Sequence, residues 1–219
     1  MQIQNAVKIV NSIPDSWVRV EHVRRISGGL EVCFTIHEGQ RGKRTGGWKV
    51  TCRGVREAKI TDIDGGGLRV YSATHPVARQ YVARRAELRW PRTGDEAKVL
   101  LALYRAHTKA SDDWIEFDRY LQIETPWTGT SFQPHFAPVS GSNFVCRGPD
   151  FLIHGYAKAL EAIGERVQLT LRRGPKLKQK QPKVLHFGQS YVVADVFTAE
   201  REAVGGGRPP LYRKLLNAG

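Results

Sequence analysis

Between Trp17 and His37 apolar and polar residues alternate on either side of a Gly28-Gly29 pair. Alternation at period two puts one set of side chains on a buried sheet face and the other in water. Paired glycines suit a tight turn, so the stretch reads as two strands of an antiparallel hairpin. In the second strand Leu30, Val32, Phe34 and Ile36 face one way and Glu31, Cys33, Thr35 and His37 the other. In the first, Val18, Val20, His22, Arg24 and Ile26 share one side, and Trp17, Arg19, Glu21 and Val23 the opposite one. A loop rich in glycine and base follows over residues 39–47, then a third strand at Trp48, Val50 and Cys52. Residues 57–63 and 68–72 read as two more, joined by Asp64-Gly65-Gly66-Gly67. Five successive strands with short connections predict an antiparallel meander with one face buried.

The middle of the chain changes to helical spacing. Thr74 and Pro76 suit a helix start, with Val77, Tyr81 and Val82 as its apolar stripe and an end before Pro91. A second helix is expected from about Thr93, with Asp95 and Glu96 in its first turn and Val99, Leu100, Leu103 and Ala106 inward. A third is expected at Ser111, where Asp112 and Asp113 read as first-turn acids and Trp114, Phe117 and Leu121 face inward. Residues 124–149 are rich in proline, glycine and hydroxyl groups, yet carry Trp127, Phe132 and Phe136. They read as an ordered loop with a short strand over 143–147. A helix then runs between Pro149-Asp150 and Gly164, with Leu152, Ile153, Tyr156, Leu160 and Ile163 inward. Strands follow at 167–171, 184–187 and 191–197.

The fold class these patterns predict is α+β. An antiparallel meander sheet packs with a helical middle segment, and a C-terminal helix leads into two or three more strands. The division expected is a β-sheet lobe over 1–73, a mixed α+β lobe with a basic β-ribbon loop over 74–204, and a tail over 205–219. The competing arrangement is a single domain in which the later strands extend the first sheet.

Hydrophobic residues make up 41% of the chain and charged residues 25%, which suits a packed core and excludes global disorder. The N-terminus has no basic segment followed by an apolar run, and no stretch approaches the ~18 apolar residues of a membrane span. Cys33, Cys52 and Cys146 cannot all pair within one chain, so buried free thiols and a cytoplasmic location are expected.

Charge is what points toward function. The chain has 34 Lys and Arg against 21 Asp and Glu, a formal net charge of +13. Seven bases and no acid lie between Arg166 and Ala194, and six bases and no acid between Gln40 and Arg56. Such clustering attracts polyanions or an acidic protein. In the first loop Arg41, Lys43 and Arg44 stand among glycines whose N–H groups could approach an anion, but the Walker pattern is absent. In the second, Arg172, Arg173, Lys176, Lys178, Lys180 and Lys183 resemble a β-ribbon arm that lies along a nucleic-acid groove. A solvated loop is the competing reading of both. A weaker patch, Arg79, Arg84, Arg85, Arg89 and Arg92, puts Arg85 and Arg89 on one helical face, with Glu87 offsetting them.

Other chemistry finds little support in the spacing. There is no HxxxH, HExxH or CxxC, so neither a metal nor another cofactor is assigned, and His107 reads as a helix C-cap. Asp112, Asp113, Glu116 and Asp118 form the one dense acidic cluster, explained by helix capping rather than by metal binding. Gly141-Ser142-Asn143 is not a nucleophile elbow, and Cys146 with His135 or His154 has no catalytic signature; no catalytic residue is assigned. The function expected is therefore a non-enzymatic basic protein that contacts nucleic-acid backbone through two basic loops. The alternatives are an adaptor or immunity-type inhibitor docking on an acidic partner, and a small hydrolase or nuclease.

Overall fold

A computed structural model describes residues 2–39, 42–61, 64–91, 95–122, 143–172 and 180–202. The fold is α+β with mostly antiparallel strand. In chain order its elements begin with α1 (Ile3–Asn11), β1 (Ser16–Ile26), β2 (Gly29–Glu38), β3 (Lys43–Lys59), β4 (Asp64–Gly65), β5 (Leu68–Tyr71) and α2 (Pro76–Arg79). There follow β6 (Arg85–Pro91), α3 (Glu96–Ser111), a 3-10 turn (Phe117–Tyr120), β7 (Leu121–Gln122) and β8 (Asn143–Pro149). The last are α4 (Asp150–Ala162), β9 (Gln168–Leu171), β10 (Lys183–Phe187) and β11 (Ser190–Glu202). These elements form two compact units, Met1–Ala78 with Lys180–Gly219, and Arg79–Gln179.

The first unit is a seven-stranded antiparallel sheet in the order β4-β1-β2-β3-β11-β10-β5. The meander is confined to β1, β2 and β3. β11 and β10 return from the end of the chain and separate β3 from β5. The reason is the length of β3: residues 48–52 and 57–59, expected on two strands, lie on a single strand of 17 residues. An edge that long needs a partner, and β11 supplies one from Glu202 opposite Gly47 to Tyr191 opposite Lys59. Asp64-Gly65, expected as a turn, is instead the short edge strand β4 against β1. The sheet curls until a Cβ placed on Gly65 would lie 2.6 Å from the backbone nitrogen of Gly188, between β10 and β11.

Inside the curl Val32, Phe34, Ile36, Trp48, Val50 and Leu185 form a core from which water is excluded. α1 closes onto it with Ile3, Ala6 and Val10 buried, a 3-4 spacing of apolar residues. One expected alternation breaks. β1 shifts register between Val20 and His22, a β-bulge, so Val23 rather than Arg24 packs toward the core and His22 is exposed.

The second unit is a four-stranded antiparallel sheet in the order β7-β8-β6-β9. With its helices it makes a β-α-β-β-α-β sequence, the split βαβ arrangement. Its core joins Leu88, Trp90, Leu103, Cys146, Tyr156 and Leu160. The helix expected to run from Pro76 toward Pro91 ends at Arg79, and β6 takes over. Ala86, Leu88 and Trp90 are buried at period two, and that pattern decides for strand. Arg85 and Arg89 therefore share a strand face, not a helical one.

α3 opens on Asp95, whose carboxylate accepts from the N–H groups of Ala97 and Lys98. It runs through Ser111, and Asp112 ends it with a left-handed φ of 51°. No helix begins at Ser111; Asp112 and Glu116 do not share a helix face, and Asp112 and Asp113 terminate a helix rather than open one. Leu100, expected inside, is exposed. α4 forms where expected, with Gly164 beyond its end at φ 92°.

β9 pairs with β6 in the second unit, while β10 pairs with β11 and β5 in the first. The strands flanking the basic loop are thus not partners, and the β-ribbon expected there does not form between them. Among the described residues no helix is long and apolar enough to cross a membrane.

Candidate nucleic-acid interface

Strand alternation on β6 has two products. Ala86, Leu88 and Trp90 turn to the core, so Arg85, Glu87 and Arg89 occupy the other face of the sheet. Register adds to that face Arg147 of β8, directly opposite Glu87. Arg172 joins at the end of β9, where its N–H donates to the Arg85 carbonyl.

Three guanidinium groups converge on the Glu87 carboxylate. Arg89 reaches Oε1 at 2.6 Å, and Arg147 and Arg172 reach Oε2 at 3.0 and 2.5 Å. The carboxylate side chain is 6% exposed, whereas those of Arg89, Arg147 and Arg172 are 51%, 46% and 60% exposed. Hydrogen bonding from Arg89, joined by Arg147 and Arg172, holds the Glu87 carboxyl down at about 2 against the desolvation that would raise it. One negative charge is set against three positive ones, and Arg85 stands exposed on the same strand.

Glu87 acts as an anchor for this face. It fixes one edge of each guanidinium and leaves about half of each side chain open to solvent. A planar fork held in place loses less freedom when it meets a phosphate. Among the described side chains on the central strands of this face, Arg85, Glu87, Arg89, Pro91, Val145, Arg147 and Pro149, none is aromatic. The face suits backbone phosphates better than base stacking.

Of the residues singled out by charge, Arg89 and Arg172 lie in this cluster, with Arg85 exposed on the same strand. Lys180 is exposed and Lys183 is half-buried at the start of β10, both in the first unit. Lys43 and Arg44 are exposed on β3 rather than in a loop, since the hairpin closes at Gly42 with Lys43 opposite Glu38 and Arg44 opposite His37. That hairpin is pinned by Trp17 stacked on His37 at 4.3 Å, and by His37 Nδ1 at 2.9 Å from the Gly42 carbonyl. Arg41, Arg173, Lys176 and Lys178 lie outside the described residues. Arg79 of the weaker patch sits 4.4 Å over the Phe151 ring. Arg147 was not singled out, although the short strand expected at 143–147 ends on it.

His107 is not a helix cap. It is buried within α3, its Nε2 donating to the Ile115 carbonyl at 2.6 Å and its Nδ1 2.6 Å from the Tyr156 hydroxyl. Burial pushes the Tyr156 phenol up, so its hydroxyl keeps its proton and links α3 to α4 through His107. Among the described residues the donors grouped closely enough for a metal ion are His22, Glu31 and Cys33. No protein-family model, no curated protein and no solved structure matches this chain.

Proposed function

We propose that this is a non-enzymatic binding protein that holds nucleic-acid backbone on the arginine face of its second unit. The observation that carries the reading is the convergence of Arg89, Arg147 and Arg172 on buried Glu87, with each arginine side chain about half open to solvent. The overall charge of +13 draws polyanions to such a surface. Lys180 and Lys183, next in the chain after this unit, add cations in the same stretch of sequence. The reading includes a reducing, cytoplasmic location, supported by three buried free cysteines.

Binding to labelled single- and double-stranded RNA and DNA tests the reading, measured by anisotropy across a salt series. Wild type should bind all sequences comparably, with affinity falling steeply as salt rises. Alanine at Arg147 or Arg172 should flatten the log K against log salt slope by about 0.9 per lost contact on duplex, or about 0.7 on single strands. Absence of binding at low salt would sink the proposal. The same face already holds a carboxylate, so an acidic protein partner is the second reading. It gains if polyglutamate binds in that experiment while nucleic acid does not.

A further inference from the structure

The bulge in β1 has a chemical product. From Val20 opposite Phe34, unbroken pairing would set Glu21 opposite Cys33 and His22 opposite the core residue Val32. Instead the register steps by one, and His22 comes opposite Cys33 and Arg24 opposite Glu31. An imidazole, a carboxylate and a thiol thus share one face of the hairpin, and their donor atoms all lie within 4.8 Å of one another. Bulges that re-aim a side chain are enriched beside functional sites.

We propose that His22, Glu31 and Cys33 form a binding site for a divalent transition-metal ion of the zinc class. The donor set selects the ion. Thiolate and imidazole suit zinc and its neighbours, while a single carboxylate is too few oxygens for calcium or magnesium. Zinc bonds of about 2.0–2.3 Å in a tetrahedron put ligand atoms roughly 3–4 Å apart, so the present spacing closes with small side-chain rotations. Cys33 and Glu31 are 3% and 7% exposed, and His22 is exposed, so two donors form the floor and the third stands at the entrance. Arg24 grips Glu31 Oε1 at 2.7 Å, the kind of outer contact that orients a ligating carboxylate.

The charges balance. On binding, the Cys33 S–H bond breaks, its proton leaves to solvent and a metal–sulfur bond forms. The thiolate and the Glu31 carboxylate then neutralise the dication, and His22 binds as the neutral ring. Among the described residues Glu202, Lys49 and Arg24 act on the Cys33 thiol beside Glu31. Lys49 is engaged by Glu200 at 2.7 Å, and Glu202 Oε1 lies 4.0 Å from Cys33 Sγ. Three protein ligands leave a fourth position for water.

The test is titration of the EDTA-treated full chain with Co(II), then Zn(II). One equivalent of Co(II) should bind with a thiolate-to-cobalt charge-transfer band that Zn(II) abolishes. Cys33→Ser should remove the band. His22→Ala, a change at an exposed position that leaves the core intact, should weaken binding by about tenfold or more. Circular dichroism of both variants shows whether they are folded. No band at stoichiometric Co(II), or a band that survives both substitutions in folded protein, overturns the site.

Discussion

Glu87 carries the clearest consequence at the scale of a single residue. Its carboxyl sits at about 2 in the fold against an ordinary value of 4.5. A folded-state value below the unfolded one means that the ionised form stabilises the protein above about pH 4.5. That contribution drains away as pH falls through the interval toward 2. The three arginines are about half exposed, so solvent screening limits the term to the order of 1–3 kcal/mol. Denaturation midpoints of wild type should therefore drop across that interval, and Glu87→Gln should show a shallower acid limb that meets wild type near pH 2. Parallel curves would mean that the guanidiniums do not hold the carboxylate. The sequence shows Glu87 among bases but not that it is buried among them. Its partners Arg147 and Arg172 are 60 and 85 positions away, and only the strand register brings them in. His22 was assigned to the wrong side of its strand for a related reason: period two carries no mark of where a bulge will fall.

Among elements, strands with local alternation were legible and their partners were not. β1, β2 and α4 lie close to where their patterns put them. α1 is readable in principle from Ile3, Ala6, Val7 and Val10, a face at 3-4 spacing. β6 shows the opposite error, since Pro76 is a strong helix start but its helix lasts one turn. β3 is one strand where two were expected, and Gly54 lies between the two expected runs. In the structure Gly54 has φ 65°, between Arg53 opposite Val196 and Val55 opposite Ala194. A Cβ there would collide with the Asp195 carboxylate. Asp195 is also the partner of Arg56 at 3.2 Å. Gly54→Ala should thus destabilise the fold by about 1–2 kcal/mol from the backbone alone, with more from displacing Asp195. Chemical denaturation should show this as a lower midpoint at unchanged m-value. An unaltered midpoint would mean that the strand accepts a side chain at this position without strain.

At the scale of the whole molecule the chain leaves its first sheet after β5 and comes back to it at β10. Trp48 pairs with Arg201 across 153 positions of sequence, a partnership that no local pattern reports. The result is two cores that share no residue, one inside the curled sheet and one between the second sheet and its helices. The cysteines sample both. Cys33 and Cys52 belong to the first unit and Cys146 to the second, and all three are buried and unpaired. Burial pushes the Cys52 and Cys146 thiols up to about 12, which removes the reactive thiolate as well as access to it. A thiol reagent added to metal-free native protein should therefore label slowly, and in denaturant without reductant it should count three groups. Mass spectrometry across a denaturant series resolves the two units. Cys33 and Cys52 require the same sheet to open, so their labelling should rise together. Cys146 should follow the loss of the second unit, at its own midpoint if that core melts independently. A final count below three would reveal a disulfide and remove the support for a reducing compartment. Separate midpoints for Cys33 and Cys52 would show that the curled sheet does not open as one cooperative body.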